Sequence, residues 1–312
     1  MVAFVFPGQG SQRVGMGVEL ADNSRFAREV FQEVDEALSQ KLSLLMREGP
    51  EEELMLTVNA QPAIMATSIA TLRVLEGEFG VDISKGRAGV AGHSLGEYTA
   101  LCAIGAFSLA ETARLLKLRG RSMQDAVPVG EGAMAALLGA DLEKATALVE
   151  AAAQGEVCQI ANDNDPTQVV ISGHAGAIDR AVHMAKEFGI KRGVKLAVSA
   201  PFHSSLMQPA AEAMREALAE MPPHTFTVPI YSNVTAGRVT DAEEERSLLV
   251  EQVTGRVRWR ESILAMREAK IQRYVELGGK VLAPMISRID PEATPFSLVT
   301  MEDLENYARE NA

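Results

Sequence analysis

The sequence predicts an α/β chain in which a small β-α-β-β-α-β unit interrupts a larger run of strands and helices. Three observations carry this reading. Short apolar runs such as VAFVF and GVAG end in glycine turns, as buried strands do. Apolar residues between them recur at helical spacing. Between Pro128 and Ser199 the texture changes to short strands and helices in the order of a ferredoxin-like unit.

Val2 to Phe6 reads as a buried strand that ends in the turn Pro7-Gly8-Gln9-Gly10. Phe26, Val30, Phe31, Val34 and Leu38 mark a helix. Pro62 suits the first turn of the next helix, whose apolar face is Ile64, Met65, Ile69, Leu72 and Leu75. Ala88 to Ala91 is a short strand, and the helix after Ser94 reaches about Ile104. Ser108-Leu109-Ala110-Glu111 is a capping box that opens a helix to about Met123. In the interrupting unit, Ala133 to Leu138, Val157 to Ala161, Val169 to Ser172 and Val194 to Val198 read as strands, with helices Leu142 to Ala153 and Ile178 to Phe188. Asn162 to Pro166 (NDNDP) reads as the hairpin turn, with Asp163 and Asp165 as turn residues. Strands near Ile230, Val275 and Leu298 complete the larger unit, which comprises residues 1–126 and 200–312 around an insert of 127–199.

The chain has 312 residues, enough for one large domain or two smaller ones. Lys plus Arg is 30 against 42 Asp plus Glu, a net charge of −12 with no basic run, which argues against nucleic acid as a partner. Cys102 and Cys158 sit in apolar settings and read as buried free thiols of a reducing compartment. The amino terminus lacks a basic leader, and no apolar segment reaches the roughly 18 residues of a membrane helix. A cytoplasmic monomer is expected, with no membrane partner. No His/Asp/Glu set has metal spacing, and no metal or cofactor is assigned. The Gly8-Gln9-Gly10 turn fails both nucleotide fingerprints, since Arg13 replaces the third glycine and no Gly-Lys-Ser/Thr follows. It could instead present a backbone N–H to an oxyanion.

The stretch GVAGHSLGEYTAL (89–101) admits two readings. Ser94 and Glu97 could form a capping box. Alternatively, Gly92-His93-Ser94-Leu95-Gly96 is Gly-x-Ser-x-Gly, the elbow that lifts a nucleophilic serine onto a strand-to-helix turn. Only the elbow requires both glycines, and Gly96 would weaken a helix's first turn. A base for such a serine must come from five histidines. His174 and His183 read as surface of the small unit and His224 as a loop residue. His93 adjoins Ser94 on a turn where neighbours diverge. His203, in SAPFHSSLM, sits where the small unit returns to the large one; there it is either a base or a satisfied histidine near a helix start. Arg119 projects from an apolar face built by Leu115, Leu116 and Met123, so it needs a partner. That partner is either a structural carboxylate or the carboxylate of a substrate.

Five motifs then occur together in order: FVFPGQGSQ (4–12), GHSLGEYTAL (92–101), LRGRSMQ (118–124), SAPFHSSLM (199–207) and VEQ (250–252). In this set the chain resembles the malonyl-CoA:acyl carrier protein transacylases over essentially its whole length. The resemblance implies an α/β-hydrolase-like core with the ferredoxin-like insert over the cleft. It implies Ser94 as nucleophile, His203 as base, and the Gln9 and Leu95 N–H groups as oxyanion hole. It also implies Arg119 as partner of the malonyl carboxylate and the Gln252 carbonyl as the group that orients His203. Gln61, His93, Met123, Asn162, Val198 and Phe202 are expected around the pocket. Phe202 stands where some members have serine, which favours a small acyl group. ELGGKVL (276–282) lacks an expected proline, which puts that loop in doubt.

The implied substrates are malonyl-CoA and an acyl carrier protein. Such carriers are acidic, so a local basic patch is expected to receive one. Lys186, Lys191, Arg192 and Lys195 are the densest candidate, although a solvated helix end explains them equally well. Three rivals remain: an acyltransferase of a polyketide or malonate pathway, a thioesterase or esterase, and a non-catalytic carrier-binding subunit. Esterases of the hydrolase fold place histidine late, whereas a long stretch follows His224 here.

Overall fold

The computed structural model describes residues 1–81, 87–198 and 200–311. The boundary expected at residue 199 lies outside them. Ten strands are described: β1 (Val2–Phe6), β2 (Arg87–Gly92), β3 (Gly132–Leu138), β4 (Cys158–Asp165), β5 (Gln168–His174), β6 (Arg192–Lys195), β7 (Ile230–Tyr231), β8 (Arg238–Val239), β9 (Arg273–Leu277) and β10 (Thr294–Leu298). They form a six-stranded sheet, ordered β10-β9-β1-β2-β7-β8, and a four-stranded sheet, ordered β4-β5-β3-β6.

The larger sheet is parallel except for β8, and period 2 sorts its residues between two cores. From β1, Phe4 and Phe6 enter one core, while Ala3 and Val5 enter the other. The first core holds the helices Arg25–Leu38, Thr57–Gly77 and Leu109–Asp125; the second holds Trp259–Glu268 and Leu282–Ile289. With both faces covered, β1 and the centre of β2 are apolar on both sides, which is why they were legible as short apolar runs.

The smaller sheet is antiparallel throughout, with two helices, Leu142–Ala153 and Ala175–Met184, on one face. This is the expected β-α-β-β-α-β order. Ala133, Ala135 and Leu137 of β3 pack under those helices. Met134 and Ala136, on the opposite face, join the first core of the larger sheet.

Several expectations need correction. The helix Thr57–Gly77 starts before Pro62, which lies inside it rather than in the first turn. It also has no single apolar face, because Thr67, Ser68 and Thr71 are buried with Ile64 and Ile69. The Thr67 and Thr71 hydroxyls donate to carbonyls one turn back (3.0 and 2.9 Å), so they enter the core without unsatisfied donors. The Ile178–Phe188 helix starts at Ala175 and ends as a 3-10 turn over Ala185–Phe188, and β6 stops at Lys195, short of Val198.

The hairpin turn is also misplaced. Asn162 to Asp165 are not a turn but the end of β4, and Asp163 and Asp165 are buried. Asp163 accepts from Arg260 Nε and Nη2 at 3.0–3.1 and 2.8 Å, and Asp165 accepts from Arg288 Nε at 2.8 Å. Arginines from the larger unit neutralise these carboxylates, so residues with a turn composition are held in a strand. The backbone reinforces the seam: Asp163 N–H donates to the Val257 carbonyl (2.9 Å), and Val257 N–H to that of Ala161 (2.8 Å). The 276–282 loop closes without proline. There the buried Glu276 carboxylate accepts from the N–H groups of Val281, Leu282 and Ala283 at 2.8, 2.9 and 3.0 Å, opening the helix Leu282–Ile289.

Candidate active site

Ser94 stands between β2 and the helix Leu95–Ala103 with φ 54° and ψ −112°. Its side chain makes no capping bond, which removes the capping-box reading. Both flanking glycines are required by space. A Cβ on Gly92 would lie 1.9 Å from the Gly96 carbonyl, and one on Gly96 would lie 2.2 Å from the Phe6 oxygen. The strained turn is braced from outside: Ser94 N–H donates to Asn233 Oδ1 (2.7 Å), and Gln252 Nε2 donates to the Ser94 carbonyl (2.9 Å).

His203 reaches the serine from the segment where the small sheet returns to the large one. Its Nε2 lies 2.8 Å from Ser94 Oγ. Its Nδ1 faces two carbonyls, Gln252 at 2.9 Å and Gly255 at 3.2 Å. Two acceptors at Nδ1 require the proton there, so Nε2 carries the lone pair and accepts from the Ser94 hydroxyl. Burial, and next the Arg119 charge, push the His203 pKa down to about 3. A neutral imidazole therefore faces the serine.

Arg119 is almost fully buried (1% exposed) on the helix Leu109–Asp125. Its Nη1 donates to Gln61 Oε1 at 2.8 Å. Its Nη2 donates to Gln252 Oε1 at 2.9 Å and to Ser94 Oγ at 3.1 Å. Its Nε has no partner, and the guanidinium lies 5.6 Å from the centre of the Tyr98 ring. None of the oxygens it bonds is a carboxylate, and burial pulls its pKa down. A guanidinium held by neutral amides beside a serine hydroxyl keeps its charge uncompensated by any bonded carboxylate.

Ser94, His203 and Arg119 open onto a cleft of about 310 Å³ between the two sheets. Gln9, Leu95 and Met134 line it, as do Gln61, which accepts from Arg119, and Met123, whose sulfur lies 3.8 Å from Gln61 Nε2. His93, Asn162, Val198 and Phe202 are also in its wall. Gln252 lies behind the cleft and touches it through Arg119 and His203. Leu95 opens its helix; the Gly96 and Glu97 N–H groups that follow donate to the His93 and Ser94 carbonyls (2.9 and 3.0 Å), and the Leu95 N–H is the one left for a bound group. His93 turns away from the serine: its Nε2 lies 2.8 Å from Asn164 Oδ1 and its ring 5.8 Å from that of Trp259. His174, His183 and His224 take no part in the lining.

Sequence reasoning missed Asn233, the Gln252 side chain, the Gly255 carbonyl and the role of Glu97. Asn233 donates to the Gly92 carbonyl (2.7 Å) while accepting from Ser94. It is far from both in the chain and carries no local signal. Glu97 had been visible only as a capping partner.

Known proteins resemble the chain over nearly its whole length. An acyl transferase domain model matches residues 3–279. The malonyl CoA-acyl carrier protein transacylase of Bacillus subtilis is 42% identical, covering 98% of this chain and 99% of its own. The crystal structure of an acyl-carrier-protein-S-malonyltransferase from Bartonella henselae superposes with a TM-score of 0.96 at 50% identity, covering 99% and 98% of the two chains. A malonyl-transacylase in complex with its type II PKS acyl-carrier protein does so with 0.95 at 38% identity, covering 100% and 99%. The chain belongs to the family of malonyl CoA-acyl carrier protein transacylases.

Proposed function

We propose that this chain moves the malonyl group from malonyl-CoA to the phosphopantetheine thiol of an acyl carrier protein, through a malonyl ester on Ser94. His203 Nε2 takes the hydroxyl proton as Ser94 Oγ attacks the thioester carbonyl. The oxyanion is received by the backbone N–H groups of Gln9 and Leu95, the latter at a helix start. Collapse expels the coenzyme A sulfur, which leaves with the proton from His203. The carrier's thiol then attacks the ester by the same steps in reverse, and Ser94 regains its proton. The Gln252 carbonyl holds the imidazole in the tautomer that this sequence needs. Gln61, His93, Met123, Asn162, Val198 and Phe202 shape the pocket, with the Phe202 ring limiting the acyl group's bulk.

The observation that carries this reading is Arg119. A buried guanidinium 3.1 Å from Ser94 Oγ, bonded only to neutral oxygens, suits an acyl group with a free carboxylate. A neutral ester or an acetyl group would leave it unpaired, which disfavours an esterase. The insert of 127–199 over the core 1–126 and 200–312 completes the cleft.

No helix among the described residues is long and apolar enough to cross a membrane. We place the enzyme in the cytoplasm, as a monomer that supplies fatty-acid elongation. A polyketide carrier would be served by the same chemistry. Transfer assays with malonyl-, acetyl- and methylmalonyl-CoA, each against holo carriers of both pathways, test the proposal. Strong preference for malonyl and for the fatty-acid carrier is expected. Preference for acetyl or methylmalonyl contradicts the assignment of Arg119, and preference for the polyketide carrier contradicts the pathway.

A further inference from the structure

Glu97 is a buried carboxyl that the proposed chemistry does not use. Its two oxygens serve different donors. Oε1 accepts from the Asn233 backbone N–H at 3.1 Å, and Oε2 accepts from Gln252 Nε2 at 2.5 Å. Gln252 Nε2 also donates to the Ser94 carbonyl at 2.9 Å. With its nitrogen committed there, the amide oxygen faces the other way and accepts from Arg119 Nη2 at 2.9 Å. An amide turned over would set its NH₂ against the guanidinium and its oxygen against a carboxylate and a carbonyl.

We propose that Glu97 is a positioning residue for acyl-group selectivity. By accepting from the Gln252 amide nitrogen, it turns that amide's oxygen onto Arg119 and holds the guanidinium at the acyl end of the cleft. This rests on the assignment of Arg119 to the malonyl carboxylate.

Glu245 explains how Glu97 stays an acceptor in the interior. It is fully buried and lies two helical turns before Gln252 on the helix Ala242–Thr254, on the same face. Neither of its oxygens receives a donor. Burial, then the charge of Glu97, raises its pKa well above the ordinary carboxylate value; burial raises that of Glu97 to about 7. Two neighbouring buried carboxyls do not both ionise, so the pair keeps one proton. Glu97 already accepts two donors while Glu245 accepts none, which favours the proton on Glu245 and leaves Glu97 the acceptor. Around the pair stand Tyr98 on the Glu97 helix, Arg119 on the Leu109–Asp125 helix, Glu244 beside Glu245, and the neutral Ser232 hydroxyl.

The test compares malonyl and acetyl transfer efficiencies in Glu97→Gln, Gln252→Met, Glu245→Gln and Arg119→Ala. In Glu97→Gln, the single amide oxygen must serve the Asn233 N–H, which the backbone cannot turn. An NH₂ then faces Gln252, whose amide turns over, and the malonyl-to-acetyl ratio should fall about tenfold. Gln252→Met keeps the backbone carbonyl used by His203 and should give the same fall. The double variant should be no worse than either single one, as expected for residues acting in series. Glu245→Gln replaces the shared proton with a permanent donor and should keep the ratio.

A selective Arg119→Ala together with unchanged ratios in Glu97→Gln and Gln252→Met overturns the inference. So does an equal loss of both thioesters, which makes Glu97 purely structural. If Glu97→Gln does not fold, Gln252→Met decides alone. If Arg119→Ala itself loses both thioesters equally, the assignment of Arg119 has failed first.

Discussion

At residue scale, two side chains from distant parts of the chain, His203 and Arg119, converge on Ser94 Oγ, and each of the three residues makes a separate demand. The serine must stand in a backbone conformation (φ 54°) that costs about 1–3 kcal/mol. The bond its N–H donates to Asn233 and the bond its carbonyl accepts from Gln252 hold it there. Arg119 must remain charged in an apolar wall, and its two amide partners leave room for an anion. Arg119→Ala should therefore reduce malonyl efficiency by about 10- to 100-fold, the value of a charge-assisted hydrogen bond, while the relative acceptance of acetyl rises. Steady-state kinetics with both thioesters check this, and equal losses would make the arginine structural.

His203 makes a pH prediction. Its folded pKa of about 3 lies below the ordinary 6.5, so the folded protein favours the neutral ring. The stability this gives is complete above 6.5 and is lost as pH falls toward 3. The same shift moves the acid limb of kcat/KM, which reports the free enzyme's base, well below the ordinary histidine value of 6.5. A limb at the ordinary histidine value would show that the ring is solvated before substrate binds.

At element scale, the elbow was legible because two glycines in five residues satisfy a local steric rule. The Ser108 capping box was legible for the same reason, and both of its reciprocal bonds are present. The other elements obey longer-range rules. Pro62 looked like a helix start, yet burial against two neighbouring helices carries the helix back to Thr57. NDNDP had a turn composition, yet Arg260 and Arg288 hold its aspartates in a strand. Nothing local announces arginines nearly a hundred or more residues away. The seam they form sets how the small sheet covers the cleft. Arg260→Ala leaves the Asp163 carboxylate buried without its bidentate partner. It should cost about 2 kcal/mol, less than a fully buried pair because Arg260 is partly solvated, and a urea denaturation series measures it. An unchanged midpoint would mean that water or another cation replaces the arginine.

At the scale of the whole molecule, charge sets a problem. The chain carries −12, and a carrier as acidic as the family resemblance implies would approach it against that field. Lys186, Lys191 and Arg192 are exposed on the small unit, and Lys195 is paired with Asp179 at 2.7 Å. Reversing Lys191 and Arg192 to Glu should raise KM for the carrier and leave KM for malonyl-CoA unchanged. The effect should shrink with salt, since charges at an interface rim act mainly through association rate. Carrier kinetics unaltered at low ionic strength would move the docking surface elsewhere.

The kinetic outcomes all depend on one covalent event, acylation of the serine at the elbow. Intact-protein mass spectrometry after brief exposure to malonyl-CoA tests it most directly. The account predicts a single malonyl adduct on the unmodified chain and none on Ser94→Ala, with the variant still folded. A malonyl adduct that persists in Ser94→Ala would contradict it.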